Sequence, residues 1–299
     1  MFPAAALKRT RRGYVPRGSA QTHKERTTSM KRDIRTKLAV AAVAALAVSG
    51  IAAGCGGGDD NGDSGDTGAI TVGSDIPYPP FEQGKAPNYT GFDVDLLNAI
   101  AQDMGREVTY EDTSFDTIFR DLAQAKFDMV ASATTITGER EQTVDFSNPY
   151  YLSEQALVVP IGSDIKTVDD ISGLTVAVQQ GTTGQAYVED ETDAGEVRQF
   201  PEGPDAINAV KTGTSDAAVI DLPVAQDAVE KAGGVEVATS IPTDEEYGFV
   251  FQQDDDTLRE DVNASLKNVE DDGTYAEIYK KWFGQEPPKE VFTATNEPK

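Results

Sequence analysis

With 51 Asp/Glu against 26 Lys/Arg, this chain of 299 residues has a formal net charge of −25. It has no cationic surplus with which to displace counterions from phosphates, so nucleic acid is excluded as the expected partner. The only histidine is His23 and the only cysteine is Cys55; if the chain is cut before Cys55, the remainder cannot build Ser-His-Asp or Cys-His catalysis or a His/Cys zinc site. Carboxylate, lysine or tyrosine chemistry, an all-oxygen metal site or pure binding remain. No calcium loop with its closing glutamate is evident, so no metal is expected.

Residues 1–29 are basic and Ser/Thr-rich without an apolar period, and they precede a segment that reads as a complete export signal starting at Met30. Lys31, Arg32 and Lys37 form its positive region, 38–48 its apolar core and Ala52-Ala53-Gly54 its small-residue end. The apolar run falls short of the roughly 20 residues that span a bilayer. Placed directly after those small residues, Cys55 resembles the lipidated cysteine of a bacterial lipobox. The expectation is a leader over 1–54 with its true start at Met30, and export to the outer face of the cytoplasmic membrane, anchored through Cys55. The first 54 residues hold 11 of the Lys/Arg and 2 of the Asp/Glu, leaving a net charge of about −34 beyond them. Residues 56–68, GGGDDNGDSGDTG, contain nothing apolar, so 55–68 reads as a flexible tether.

From residue 69 the texture changes to short β-branched runs alternating with helical periods: strand 70–73, helix 93–104, strand 108–111, helix 115–125, strand 128–132. Such alternation predicts an α/β domain with a largely parallel sheet. The helix at 93 has a Gly91 turn before it, Asp93 and Asp95 in a first turn that favours negative charge, and Val94, Leu97, Ile100, Ala101 and Met104 on one face. A second series follows Pro160: strand 175–178, helix 183–188, strand 197–200, helix 205–211, strand 217–220, helix 224–231, strand 235–238. Extended segments 155–159 and 247–251 bracket it, and helical patterns close the chain (Leu258, Val262, Leu266, Val269; then Ala276, Tyr279, Trp282). If those helices return to the first unit, the chain crosses twice between lobes. Lobe 1 is then 69–158 plus 249–285, lobe 2 is 159–248, and 286–299 is a tail. A hinged cleft between lobes is where small ligands bind.

Several residues could meet there. Arg140, in SATTITGER just past a strand end, offers a planar fork that matches a carboxylate. The alternative is an exposed pair with Glu139 or Glu141; the hydroxyls of Ser132, Thr134 and Thr135, at the strand end where α/β ligands sit, favour the fork. VAVQQGTTGQAY reads as strand, glycine turn and a helix start beside Thr182 and Thr183, an anion-binding geometry shared by many such turns. Asp221 ends strand 217–220, either held ready for a cation or capping the next helix. Tyr78 and Phe115 offer aromatic faces near the ends of first-lobe elements, whereas Phe119, Phe127, Phe249 and Trp282 read as core.

The stretch GFDVDLLNAIAQDM, 91–104, closely resembles the signature of the family 3 solute-binding proteins, the extracytoplasmic polar-amino-acid receptors of ABC importers. The order of YPPFE, GFDVDL, SFDTI, SATTITGER, VDFSNPYY, VAVQQGTT, SDAAVID and KKWFG is similar to that family across about 69–284. The resemblance implies a periplasmic binding protein type II fold, with two lobes, two hinge crossings and a ligand cleft between them. It implies a monomer without a cofactor that takes a free polar amino acid, glutamine-like or basic, to a membrane permease. Arg140 would clamp the α-carboxylate, helped by main-chain groups at Ala133 and Thr135 and by the Thr182-Thr183 helix start. Asp221 would hold the α-ammonium, Tyr78 and Phe115 would sandwich the side chain, and Asp75, Ser132 and Gln179 would add polar contacts. Gln179 stands where glutamine-preferring relatives carry lysine, so glutamine specificity does not simply transfer. Cyclohexadienyl dehydratases look similar in fold and need a general acid, for which Glu82 is the candidate; a signalling sensor subunit is the other alternative.

Overall fold

The computed structural model describes residues 68–292, so the expected leader, the start at Met30, the Cys55 anchor and nearly all of the tether lie outside the described residues. Strand β1 (Ile70–Ser74) leads through a proline-rich loop into a short hairpin, β2 (Gln83–Lys85) and β3 (Asn88–Thr90). Helix α1 (Phe92–Asp103) starts at Gly91, whose φ of 149° and close approach to the Phe81 carbonyl leave no room for a Cβ. Next come β4 (Val108–Asp112), α2 (Phe115–Ala123), β5 (Met129–Val130) and β6 (Val144–Phe146).

Beyond β6 lie β7 (Tyr151–Pro160), β8 (Thr175–Gln179), α3 (Thr183–Glu191), β9 (Glu196–Phe200), α4 (Gly203–Lys211), β10 (Ala217–Asp221), α5 (Leu222–Ala232) and β11 (Val235–Tyr247). Finally β12 (Val250–Gln252) precedes α6 (Asp256–Asp271) and α7 (Thr274–Phe283), both packed on α1. The first five-stranded sheet runs β4-β1-β5-β12-β6 and the second β11-β7-β10-β8-β9. The chain thus crosses from the first sheet to the second after β6 and returns before β12. The crossings are tied to each other and to lobe 1, Tyr150 N donating to the Tyr247 carbonyl at 2.8 Å and Gly248 N to that of Thr134 at 3.0 Å.

Burial follows the strand period. Along β7, Ala156 and Val158 enter one apolar cluster and Leu157 and Val159 another, because successive side chains point to opposite faces. Helices cover both faces of this sheet, which is why its strands read as continuous apolar runs.

Three expectations shift. The boundary expected at 158 falls inside β7, whose whole length from Tyr151 pairs antiparallel with β11; the crossing therefore lies before Tyr151. Strand 128–132 shortens to β5, since Asp128 turns to accept from Thr71 N at 2.8 Å and Ala133 adopts a left-handed φ of 42°. The helix expected from 205 begins at Gly203, Pro204 being suited to a first turn whose N–H is unused. The hairpin over 83–90 and β6 were not expected.

Candidate functional site

The tips of four strands meet between the sheets: Asp75 follows β1, Ser132 to Thr135 follow β5, Gln179 ends β8 and Asp221 ends β10. All eleven residues singled out above line one cavity there: Asp75, Tyr78, Phe115, Ser132, Ala133, Thr135, Arg140, Gln179, Thr182, Thr183 and Asp221. Its free volume is only about 10 Å³, about what a single water needs, so the cavity is nearly filled by its own side chains. A larger groove, about 560 Å³ and lined by Tyr151, Glu154, Gln226, Glu246 and Tyr279, offers no Lys or Arg to an anion.

Arg140 opens a single 3₁₀ turn, Arg140–Gln142. Its Nη1 donates to the Thr135 carbonyl at 2.7 Å and its Nη2 to the Gly181 carbonyl at 3.2 Å, so the guanidinium bridges the lobes instead of pairing with Glu139 or Glu141. The rings of Phe115 and Phe119 lie beneath it, 5.3 and 5.2 Å from the guanidinium carbon. Phe119, expected as core, is half-buried and supports this cation. Burial pulls the guanidinium below its usual value while the charges of Glu245 and Asp221 oppose that shift; it remains a cation.

Asp221 occupies the N-cap position of α5 yet makes no cap hydrogen bond. Its carboxylate instead accepts from Tyr78 Oη at 2.6 Å, across the cleft, and from Gln155 Nε2. Tyr78 therefore uses its hydroxyl at the acidic end of the site, as well as any ring face it offers. Gln179 Nε2 donates to Asp75 Oδ2 at 2.5 Å, a further bond between lobes. Thr182 caps α3, accepting from Gln185 N at 3.1 Å, and the first N–H groups of that helix have no intrahelical partner. Ala133 departs from expectation, because its N–H donates to Asp93 Oδ2 at 2.9 Å and is not a donor for a guest's carboxylate.

Two cleft residues escaped the sequence reading. Gln155 and Glu245 face each other from β7 and β11, with Nε2 to Oε1 at 2.9 Å. Glu245 also accepts from Thr135 Oγ1 at 2.6 Å and Thr183 Oγ1 at 3.1 Å, linking both lobes through the returning strand. A signal existed for Gln155, one amide opening the apolar run ALVVP. None existed for Glu245, the middle acid of Asp244-Glu245-Glu246, since only pairing across strands turns it inward.

Burial pushes Asp75 up to about 7, with the Gln179 hydrogen bond pulling the other way. Asp221 also rises to about 7, through burial and then the neighbouring Glu245 charge, against donors from Tyr247, Tyr78 and Gln155. The folded chain holds these protons well above the range near 4 where an unfolded chain releases them. Their contribution to stability is thus complete below about pH 4 and lost as pH rises through about 7. In amino-acid-free buffer the melting temperature should be higher at about pH 5 than at about pH 8, and Asp221→Asn should narrow the gap. An unchanged gap in that variant would refute the role given to Asp221.

A family model described as bacterial extracellular solute-binding proteins, family 3, matches residues 70–285. The ABC transporter arginine-binding protein 1 of Escherichia coli (strain K12) is 32% identical over 222 residues, covering 72% of this chain and 91% of that protein. The ABC transporter glutamine-binding protein GlnH of Bacillus subtilis (strain 168) is 31% identical over 201 residues, 66% of this chain and 74% of that one. Among solved structures, the arginine-, lysine-, histidine-binding protein ArtJ of Geobacillus stearothermophilus matches with a TM-score of 0.71 at 35% identity, covering 76% of this chain and all of that one. The shared architecture is the type II periplasmic binding protein fold.

Proposed function

The chain belongs to the bacterial extracellular solute-binding proteins, family 3, and we propose that it is a lipid-anchored receptor that closes on a basic amino acid and delivers it to an ABC importer permease. What carries the reading is the opposition of Arg140 and Asp221 across one cleft, each from a different lobe. A zwitterion taken out of water leaves two opposite charges that must be paired. Arg140 serves the α-carboxylate, with the Thr182-Thr183 helix start beside it; Asp221 serves the α-ammonium. Only the closed form reaches both ends at once, which gives closure its driving force.

Charge balance points to the side chain. Arg140 is the one Lys or Arg among the described residues lining the cavity; set against Asp221, it leaves Asp75 in the lining and Glu245 beside it over. A guanidinium or ammonium at the far end of the guest would hold Asp75 ionised. The Escherichia coli and Geobacillus relatives, an arginine-binding and an arginine-, lysine-, histidine-binding protein, support the same preference, against the glutamine-binding relative from Bacillus subtilis. The anchor rests on Cys55 and its context in the sequence. Binding is favoured over dehydration because Glu82, the candidate acid, is fully buried behind Ser132 and does not line the cavity.

A thermal-shift screen of the purified chain against the twenty amino acids tests this. A ligand at about 100 times its Kd adds about 2.7 kcal/mol of stability, so arginine or lysine should raise the melting temperature clearly. A screen in which no amino acid shifts the transition, or only acidic ones do, would defeat the proposal.

A further inference from the structure

Directly behind the cleft two carboxyl groups are buried without a cation. Glu82 is 0% exposed and Asp93 1%, and neither makes an ion pair with Lys or Arg among the described residues. Main-chain bonds bring their segments together, Phe92 N donating to the Pro80 carbonyl at 2.9 Å and Asp93 N to that of Phe81 at 3.1 Å. Asp93 Oδ2 accepts from Ala133 N at 2.9 Å and Tyr150 Oη at 2.7 Å, while Glu82 Oε1 accepts from Ser132 Oγ at 3.0 Å. The other oxygen of each group, Glu82 Oε2 and Asp93 Oδ1, is buried with no partner among the described residues. The titratable groups around them, Asp75, Asp221, Tyr78, Tyr110 and Tyr150, are acidic or phenolic.

Two ionised carboxylates in such a place would repel each other and leave two acceptors unmet. One proton between them removes both faults. We propose that Glu82 and Asp93 share one proton and act together as a positioning unit that sets Ser132 and Ala133 at the floor of the cleft. This rests on the reading of the cleft as an amino-acid site. Asp93 is the member that ionises, at about 7 because burial lifts it too: it receives two donors and sits in the first turn of α1, where negative charge is favoured. Glu82, with one hydroxyl donor, keeps the proton; burial and the Asp93 charge push it well above the usual carboxyl range. Ser132 passes the constraint on, since its Oγ also accepts from Asp75 N at 3.0 Å.

The test is a carbon-13 NMR titration of the full chain labelled at Asp and Glu carboxyl carbons, with no amino acid added, alongside calorimetry with arginine. Besides the aspartates Asp75, Asp93 and Asp221, which release their protons at about 7, one glutamate carboxyl signal should stay protonated above that pH, far from the usual value near 4, and should vanish in Glu82→Gln. Glu82→Ala, which leaves Ser132 Oγ without its acceptor, should weaken arginine binding about tenfold or more. Glu82→Gln, a neutral isostere of the protonated acid, should recover most of that loss. Both carboxyls titrating near 4 in the folded chain would overturn the shared proton, as would Glu82→Gln binding no better than Glu82→Ala. A retained proton in a chain that binds no amino acid would support the pair and overturn the reading of the cleft.

Discussion

Arg140→Ala is expected to abolish measurable binding of every amino acid by calorimetry. The guanidinium is held by two main-chain carbonyls, one from each lobe, and rests on two phenylalanine rings, so it is already aimed into the cleft before a guest arrives. Removing one partner of a buried charge pair costs about 3–5 kcal/mol, or roughly two to three and a half powers of ten in affinity. Arg140→Lys should rescue little, because a single ammonium cannot reproduce the planar fork that meets both carboxylate oxygens. A normal far-ultraviolet spectrum and melting curve would show that the fold survives. Affinity for arginine within a few-fold of the parent would contradict the role given to this residue.

Asp221→Asn should weaken α-amino acids far more than analogues that lack the amine. Asparagine keeps an oxygen for Tyr78 Oη while its charge is lost, although its amide nitrogen can no longer accept from Gln155 Nε2. Truncating a buried charge pair costs about 2–5 kcal/mol, and an analogue without the ammonium should not feel most of it. The pH profile gives an independent check. Asp221 releases its proton at about 7, and a guest's ammonium needs the ionised form. Below that value each pH unit should weaken binding by up to about tenfold, and affinity should level off above it. In Asp221→Asn the slope should flatten. Equal loss for amino acids and deaminated analogues, or an unaltered slope, would be the wrong outcome.

Much of the cleft was legible because strand tips are. The expected strand ends at Gly73, Ser132, Val178 and Ile220 mark where an α/β sheet presents side chains to a ligand, and Asp75, Ala133, Thr135, Gln179 and Asp221, just beyond them, line the cavity. Pairing between strands distant in sequence was not legible. Gln155 and Glu245 stand 90 residues apart and become neighbours only through the β7–β11 register. The early crossing before Tyr151 did carry a local mark, the turn residues Ser147-Asn148-Pro149, whereas the boundary was expected in the apolar run that follows it. Local sequence also left Asp221 undecided between helix cap and cation partner; its side chain makes no cap bond and turns to Tyr78 and Gln155.

The bonds from Arg140 to Gly181, Tyr78 to Asp221 and Gln179 to Asp75 clasp the cleft with the protein's own groups. An arriving molecule is therefore weighed against contacts the receptor can make alone, and it wins only if it matches every donor and acceptor it parts. A short or poorly functionalised guest would strand some of them away from water, so much of the selectivity sits in the clasp and comparatively little in added attraction.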